Sequence, residues 1–181
     1  MPLDSGAFEL TRPVPDVRLR HWTADDLPLL DATVGDAEMT RFLGGPEAPE
    51  KIRERHARYL GLGNPDNGRV LVILAGPDGT PAGTHGYWKR EHEGDTIWET
   101  GWFVLPEFQG QGIATLATQM MAELAWADDP HRPIHAYPAV DNAASNAVCR
   151  KAGFRLIGAF DFEYPAGHPL RCNDWVLDPP G

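Results

Sequence analysis

Between Thr96 and Leu124 the chain changes its period, and that change sets narrow limits on the fold. Thr96 to Leu105 is rich in β-branched and aromatic residues and reads as a strand. From Ile113 the apolar positions Ile113, Leu116, Ala117, Met120, Met121 and Leu124 recur at the spacing of one helical face. Only the short glycine-containing loop after Pro106 separates the two patterns. A strand that feeds at once into a long amphipathic helix belongs to a layered domain with both element types.

The rest of the chain fills in that domain. Residues 1–16 read as an irregular arm, since Pro13 and Pro15 block regular hydrogen bonding. Val17–Arg20 alternates like a strand, and Thr23 to Asp26 reads as a capping box opening a helix with Leu27, Leu30 and Val34. A second helix is predicted from about Ala48 to Leu60, with Ile52, Tyr59 and Leu60 on its apolar side. Arg69–Ala75, Ala82–Arg90 and Thr96–Leu105 are three strands with short polar connections, predicting an antiparallel meander. Ile134–Val140 is a further strand, Ala143–Ala152 a helix, and Phe154–Phe162 and Asn173–Leu177 close the sheet. The expected fold is a single α+β domain over residues 17–181, with a mixed, mostly antiparallel sheet flanked by helices.

The segment Gln109-Gly110-Gln111-Gly112-Ile113-Ala114-Thr115 carries the first chemistry. A helix N-terminus leaves about four backbone N–H groups without partners and concentrates roughly half a positive charge. Glycines at 110 and 112 remove side chains that would keep an anion away, so the segment can bind phosphate through backbone alone. Gly112 is followed by Ile113-Ala114 rather than Lys-Ser/Thr, which excludes a P-loop. Thr115 stands where a dinucleotide fingerprint would need its third glycine.

Charge and composition exclude several classes. The formal charge of −10 disfavours a nucleic-acid partner and would draw in a cation, or else serves only solubility. Met1 to Thr11 carries Asp4 and Glu9 and lacks the pattern of a signal peptide, and no run approaches the roughly 18 apolar residues of a membrane helix. Cys149 and Cys172 are too few for a disulfide framework, so a cytoplasmic protein without a membrane partner is expected. His131 and His135, separated by Pro133, cannot share a helix face, and no metal is expected.

Two separated motifs resemble those of the GNAT acetyltransferases. Gln109-Gly-Gln-Gly-Ile-Ala114 fits that superfamily's [R/Q]-x-x-G-x-[G/A] signature. Asn142-Ala-Ala-Ser145 followed by Arg150-Lys151-Ala152-Gly153-Phe154 is similar to its N-x-x-S…K-x-GF segment. Leu19-Arg20, Asp25-Asp26-Leu27 and Thr40-Arg41-Phe42-Leu43-Gly44 resemble the branch that acetylates ribosomal-protein N-termini. The resemblance runs from about Val17 to Leu177. It implies an acetyl-CoA-dependent N-acetyltransferase acting on a primary amine, such as a protein N-terminal α-amine. The alternatives are a small polyamine or aminoglycoside-like acceptor, or a non-catalytic acyl-CoA sensor. It also implies that the fourth strand splays from the fifth, with Trp102, Phe103 and Val104 pairing the pantetheine arm. Gly110 to Thr115 would cradle the pyrophosphate and Asn142 would bind the cofactor arm, in a monomer or a homodimer.

Acetyl transfer needs a group to deprotonate the amine, a donor to the oxyanion and help for the departing thiolate. Glu99, flanked by Trp98, Gly101, Trp102 and Phe103, is the expected base, because a carboxylate among aromatics would have a raised pKa. Relatives with a base one strand later would place it at Tyr137. A strand N–H near Val104 would serve the oxyanion. Ser145, three residues after Asn142, is expected to hydrogen-bond the thiolate, while Cys149 reads as a small core residue. Trp22, Phe42, Trp88, Trp98 and Tyr137 could wall an acceptor pocket, although most should be core.

Overall fold

The computed structural model describes residues 15–62, 65–163 and 166–181, so all but the last two residues of the expected arm lie outside it. Seven strands form one sheet in the order β1-β2-β3-β4-β5-β7-β6. They are β1 Val17–His21, β2 Gly68–Ala75, β3 Thr80–His92, β4 Asp95–Val104, β5 Ile134–Ala136, β6 Arg155–Glu163 and β7 Pro169–Leu177. The helices are α1 Leu27–Thr33, α2 Pro49–Leu60, α3 Ile113–Asp128 and α4 Ala143–Ala152. Strands β1 to β4 form the predicted antiparallel meander, and β4–β5 is the parallel pair.

The start of the chain folds as its residues dictate. Asp26 accepts hydrogen bonds from the Thr23 backbone N–H at 2.7 Å and hydroxyl at 2.8 Å, closing the box that leads into α1. Arg20 on β1 grips the same carboxylate with two nitrogens, at 2.9 and 2.7 Å. Asp26 is nearly buried, and burial alone would raise its pKa. The bonds from Arg20 and Thr23 outweigh that and hold it below the usual carboxylate value.

The sheet separates two apolar layers. Tyr87, Trp98, Ile134, Ala136 and Trp175 pack with Met121, Ala122 and Ala125 of α3 and with Cys149 and Ala152 of α4. On the opposite face Val70 and Val72 meet Leu29, Leu30 and Val34 of the α1 region and Ile52 of α2. Trp22 belongs to this second core, and its indole N–H donates to His56 Nδ1 at 3.1 Å.

Four sequence expectations are corrected. The strand expected over Ile134–Val140 pairs as β5 for only three residues. The Pro138 carbonyl accepts from Asn173 but Pro138 has no N–H to donate back to β7, which interrupts the ladder there, and the chain stays beside β7 through the Val140 N–H and the Arg171 carbonyl while it leaves β4. The last strand starts earlier than Asn173, because β6 pairs with it as far as Pro169. Leu60 ends α2 half exposed rather than on the buried side. The buried face of α3 is Ile113, Ala117, Thr118, Met121, Ala122 and Ala125, leaving Leu124 exposed. Small residues let α3 lie close to the sheet, and the Thr118 hydroxyl satisfies itself on the Ala114 carbonyl and on His85.

Candidate functional site

The early end of β5 opens a gap in the sheet. Strand β4 meets β5 only at Trp98, Glu99 and Thr100, opposite Ile134, His135 and Ala136. From Gly101 to Val104 it keeps β3 on one side while the chain after β5 has left for β7. Backbone groups alternate sides along a strand. Trp98 donates toward the β5 side, to Pro133, at 3.0 Å, and Leu105 toward the β3 side, to Ala82, at 2.8 Å. That alternation turns the backbone of Trp102 and Val104 into the gap and that of Phe103 toward β3. Of the three residues expected to present backbone, Trp102 and Val104 therefore face the gap and Phe103 does not.

The glycine loop closes one end of the gap. Gly110 and Gly112 have φ of 73° and 84°, a region that favours glycine, and a Cβ at either would meet nothing within 4 Å. Both glycines are exposed, so the space above them is open to a ligand. The first helical bond of α3 runs from the Leu116 N–H to the Gly112 carbonyl, which leaves Ile113, Ala114 and Thr115 with the orphan N–H groups of the helix end. This cradle fits a pyrophosphate. Gln109 and Gln111 are committed elsewhere: their side-chain amides donate to the carbonyls of Val104 at 2.8 Å and Glu107 at 2.9 Å. They shape the loop and are not themselves aimed at an anion.

Helix α4 forms the other wall. Asn142 is its N-cap, with Oδ1 accepting from the Ser145 N–H at 3.1 Å. Ser145 is half-buried in the first turn, and Cys149, one turn on, is fully buried against the core. Burial pushes the Cys149 thiol up to about 12, so it stays protonated and inert at neutral pH. Gly153 ends the helix in a left-handed conformation, and Phe154 beyond it is buried. The sequence reading missed Asn146. Its amide donates to the Ala139 and Asn142 carbonyls at 2.9 and 2.8 Å, and its oxygen accepts from Asn173 at 2.7 Å and the Trp175 indole at 2.8 Å. That uses both donors and both lone pairs, fastening α4 and the chain leaving β5 to β7. A polar residue on the buried side of a helix was the available signal.

Glu99 lies on the opposite face from α3 and α4, beside the point where β4 and β5 part. Its surroundings are not the apolar cage expected of it. Arg90 Nη1 donates to Glu99 Oε2 at 2.7 Å and stacks over the rings of Tyr137 at 4.8 Å and Phe162 at 5.2 Å. Trp88 is the cross-strand partner of Glu99 and spreads toward Gly101, where a Cβ would come within 3.3 Å of its ring. Of the five aromatics named from sequence, Trp88 and Tyr137 stand on this face, Trp22 and Trp98 are core, and Phe42 lies under the Arg41 guanidinium at 4.7 Å. Burial, and then the charge of Asp174, push the Tyr137 phenol well above its usual pKa, so it is a hydrogen-bond donor rather than a base. His92, His135 and Asp174 complete the cluster: His135 Nδ1 lies 2.8 Å from Asp174 Oδ1, and Tyr137 Oη 3.2 Å from His92 Nδ1. The sequence weighed His135 with His131, but the topology gives it His92, from the far end of β3.

Comparisons with known proteins meet this geometry. The family described as acetyltransferase (GNAT) domain matches residues 16–155. Among solved structures the chain is similar to ribosomal-protein-alanine N-acetyltransferase from Brucella melitensis, with 27% identity and a TM-score of 0.71 over 89% of this chain and 99% of that one. It is also similar to an acetyltransferase from Salmonella typhimurium that modifies the N-terminal serine of a 50S ribosomal subunit protein. There the identity is 23% and the TM-score 0.72, over 90% and 94% of the two chains. Spermidine N-acetyltransferase from Vibrio cholerae, solved with CoA and spermine, has a TM-score of 0.73 at 16% identity over 90% and 95%. No curated protein matches the chain. Among the described residues no helix is long and apolar enough to cross a membrane.

Proposed function

Because the chain belongs to the GNAT acetyltransferase family, we propose that it is a cytoplasmic, acetyl-CoA-dependent enzyme whose acceptor is a protein N-terminal α-amine. The observation that carries the cosubstrate is the gap itself: an open backbone edge from Trp102 to Val104 that runs into the orphan N–H groups of α3. An elongated molecule with amides at one end and a pyrophosphate at the other suits that line of donors. Two free, buried cysteines accord with a reducing compartment.

In this reading the neutral amine attacks the thioester carbonyl from the Glu99 face, and the proton it sheds passes to Glu99, directly or through water. The Val104 N–H receives the oxyanion, the C–S bond breaks, and Ser145 hydrogen-bonds the departing thiolate. The Arg90 pair orients the Glu99 carboxylate toward the strand junction. Favouring an α-amine are the likeness to the Brucella enzyme and the motifs Asp25-Asp26-Leu27 and Thr40–Gly44. A polyamine acceptor is the second reading, supported by the spermine-bound Vibrio neighbour and by the −10 charge. Thiol release from acetyl-CoA, followed with a peptide bearing a free N-terminus and with spermidine, separates the readings. Turnover of the peptide alone is expected, preference for spermidine would move the assignment to polyamines, and release with neither amine would mark a non-catalytic acyl-CoA binder.

A further inference from the structure

Within the cluster around Glu99, His92, His135 and Asp174 are donors to which the acetyl-transfer reading gives no step. We propose that they bind one divalent transition ion of the zinc class. Three strands supply the donors: His92 ends β3, His135 is the middle of β5, and Asp174 lies in β7. One ligand atom from each lies within 4.8 Å of the others, with His135 Nδ1 and His92 Nε2 at 2.8 and 3.7 Å from the two Asp174 oxygens. His135 and Asp174 are buried and so held firmly, while His92 is about a quarter exposed.

The chemistry of the set selects the ion. Two imidazoles and a carboxylate suit zinc, cobalt or nickel, whereas magnesium and calcium seek oxygen donors. The Tyr137 hydroxyl meets His92 Nδ1, which leaves Nε2 directed at Asp174, the kind of outer contact that orients a metal-bound histidine. Donors bound at about 2.1 Å to one tetrahedral ion stand roughly 3.4 Å apart, so on binding the widest pair closes by up to about 1.4 Å and the His135–Asp174 pair opens by about 0.6 Å. Rotation of the half-buried His92 ring supplies that movement. Arg90 is the cation that faces the cluster, and its charge is met by Glu99 at 2.7 Å. Three protein donors leave an open coordination position on the exposed side, for water or an incoming donor.

The test uses the full chain with zinc alone, or with cobalt as a coloured substitute, and needs neither acetyl-CoA nor an acceptor. Calorimetry should find one ion bound per chain, with affinity falling at least tenfold in Asp174→Asn and in His92→Gln. His131→Gln and His168→Gln, both at exposed positions, should leave it unchanged. Cobalt should give visible absorption of low-symmetry, four- or five-coordinate type. On the wild-type chain, zinc should shift the imidazole nitrogens of His92 and His135 in nitrogen-15 spectra, a readout that does not depend on how the variants fold. Zinc binding that survives both ligand substitutions, an absence of saturable binding below millimolar zinc, or shifts confined to other histidines would each overturn the proposal.

Discussion

The loop from Leu105 to Gly112 and the cluster around Glu99 stand at two ends of the proposed site and are built by different means. The loop offers almost nothing but backbone. Its glutamines brace the carbonyls of Val104, at the end of β4, and Glu107, and its glycines give the chain its turn and leave open space. The cluster consists of side chains: Arg90, Glu99, His92, Tyr137, His135 and Asp174, joined by ion pairs and ring contacts across β3, β4, β5 and β7. A site for an invariant polyanion can be made from peptide groups that any sequence possesses. A site that must choose an acceptor and move its proton needs particular side chains at particular distances. The two ends should therefore fail differently when altered.

The largest effect is expected at the loop. Gly112→Glu forces a left-handed backbone on a side chain and sets a carboxylate where the phosphates would lie. Acetyl-CoA affinity measured by calorimetry should fall at least about a hundredfold, roughly 2.7 kcal/mol, while the backbone strain lowers the melting temperature by a few degrees and leaves the chain folded. Retained affinity in a folded variant would remove the pyrophosphate from this loop.

At the other end, Glu99→Gln should lower turnover by roughly a hundredfold, within the usual contribution of a general base, while acetyl-CoA binds as before. That split between rate and cosubstrate affinity is the sharpest expression of the contrast. Loss of both together would mean that the Arg90–Glu99 pair shapes the gap rather than moving a proton.

These ends also differ in how far the sequence reveals them. The strand, the glycines and the helix periodicity from Thr96 to Leu124 are contiguous, so local rules find them. Helix α4 follows from local bonding too, which is why its bounds at Ala143 and Ala152 were legible. The cluster was legible only at Glu99 and Tyr137. His92 and Asp174 join it because β5 lies between β4 and β7, an order that no periodicity encodes. The splay was hidden for a related reason: Ile134–Val140 reads as one strand, and nothing local in it marks that it parts from β4 after Ala136 while it stays beside β7. Glu99 was identified as a candidate but its surroundings were misjudged, since its sequence neighbours are aromatic and its spatial partner is Arg90.

Asn146 belongs to neither end: it fastens α4 and the chain leaving β5 to β7, and removing it tests whether the gap depends on that tie. Asn146→Ala would leave the Trp175 indole and the Ala139 carbonyl without their buried partner. Denaturant unfolding should show a loss of about 2 kcal/mol. Acetyl-CoA affinity should weaken in parallel only if the chain leaving β5 must be held away from β4. A full loss of stability with unaltered affinity would show that the gap keeps its shape without this anchor.

The smallest expected effect concerns the leaving thiolate, for which α4 carries two candidates one turn apart. Ser145 is in the first turn and half-buried, beside the gap, whereas Cys149 is fully enclosed by the α3–α4 core. Reactivity at sulfur depends on the thiolate fraction, and a thiol pushed up to about 12 holds almost none at neutral pH. Its protonated form could in principle donate, but a side chain with no exposed surface has no path to the departing sulfur. A serine hydroxyl offers one hydrogen bond to the forming thiolate rather than a full proton. Its removal should slow turnover by less than about tenfold, since a single such bond contributes about 1 kcal/mol. Ser145→Ala is therefore expected to lower kcat by a few fold with unchanged stability. Cys149→Ala should leave kcat alone and lower stability by about 1 kcal/mol through the small void it creates. The comparison is read from steady-state rates and thermal melts of the two folded variants at saturating acetyl-CoA. If Cys149→Ala is the slower enzyme, the helix must open enough to expose that thiol during turnover, and the role assigned to Ser145 passes to it.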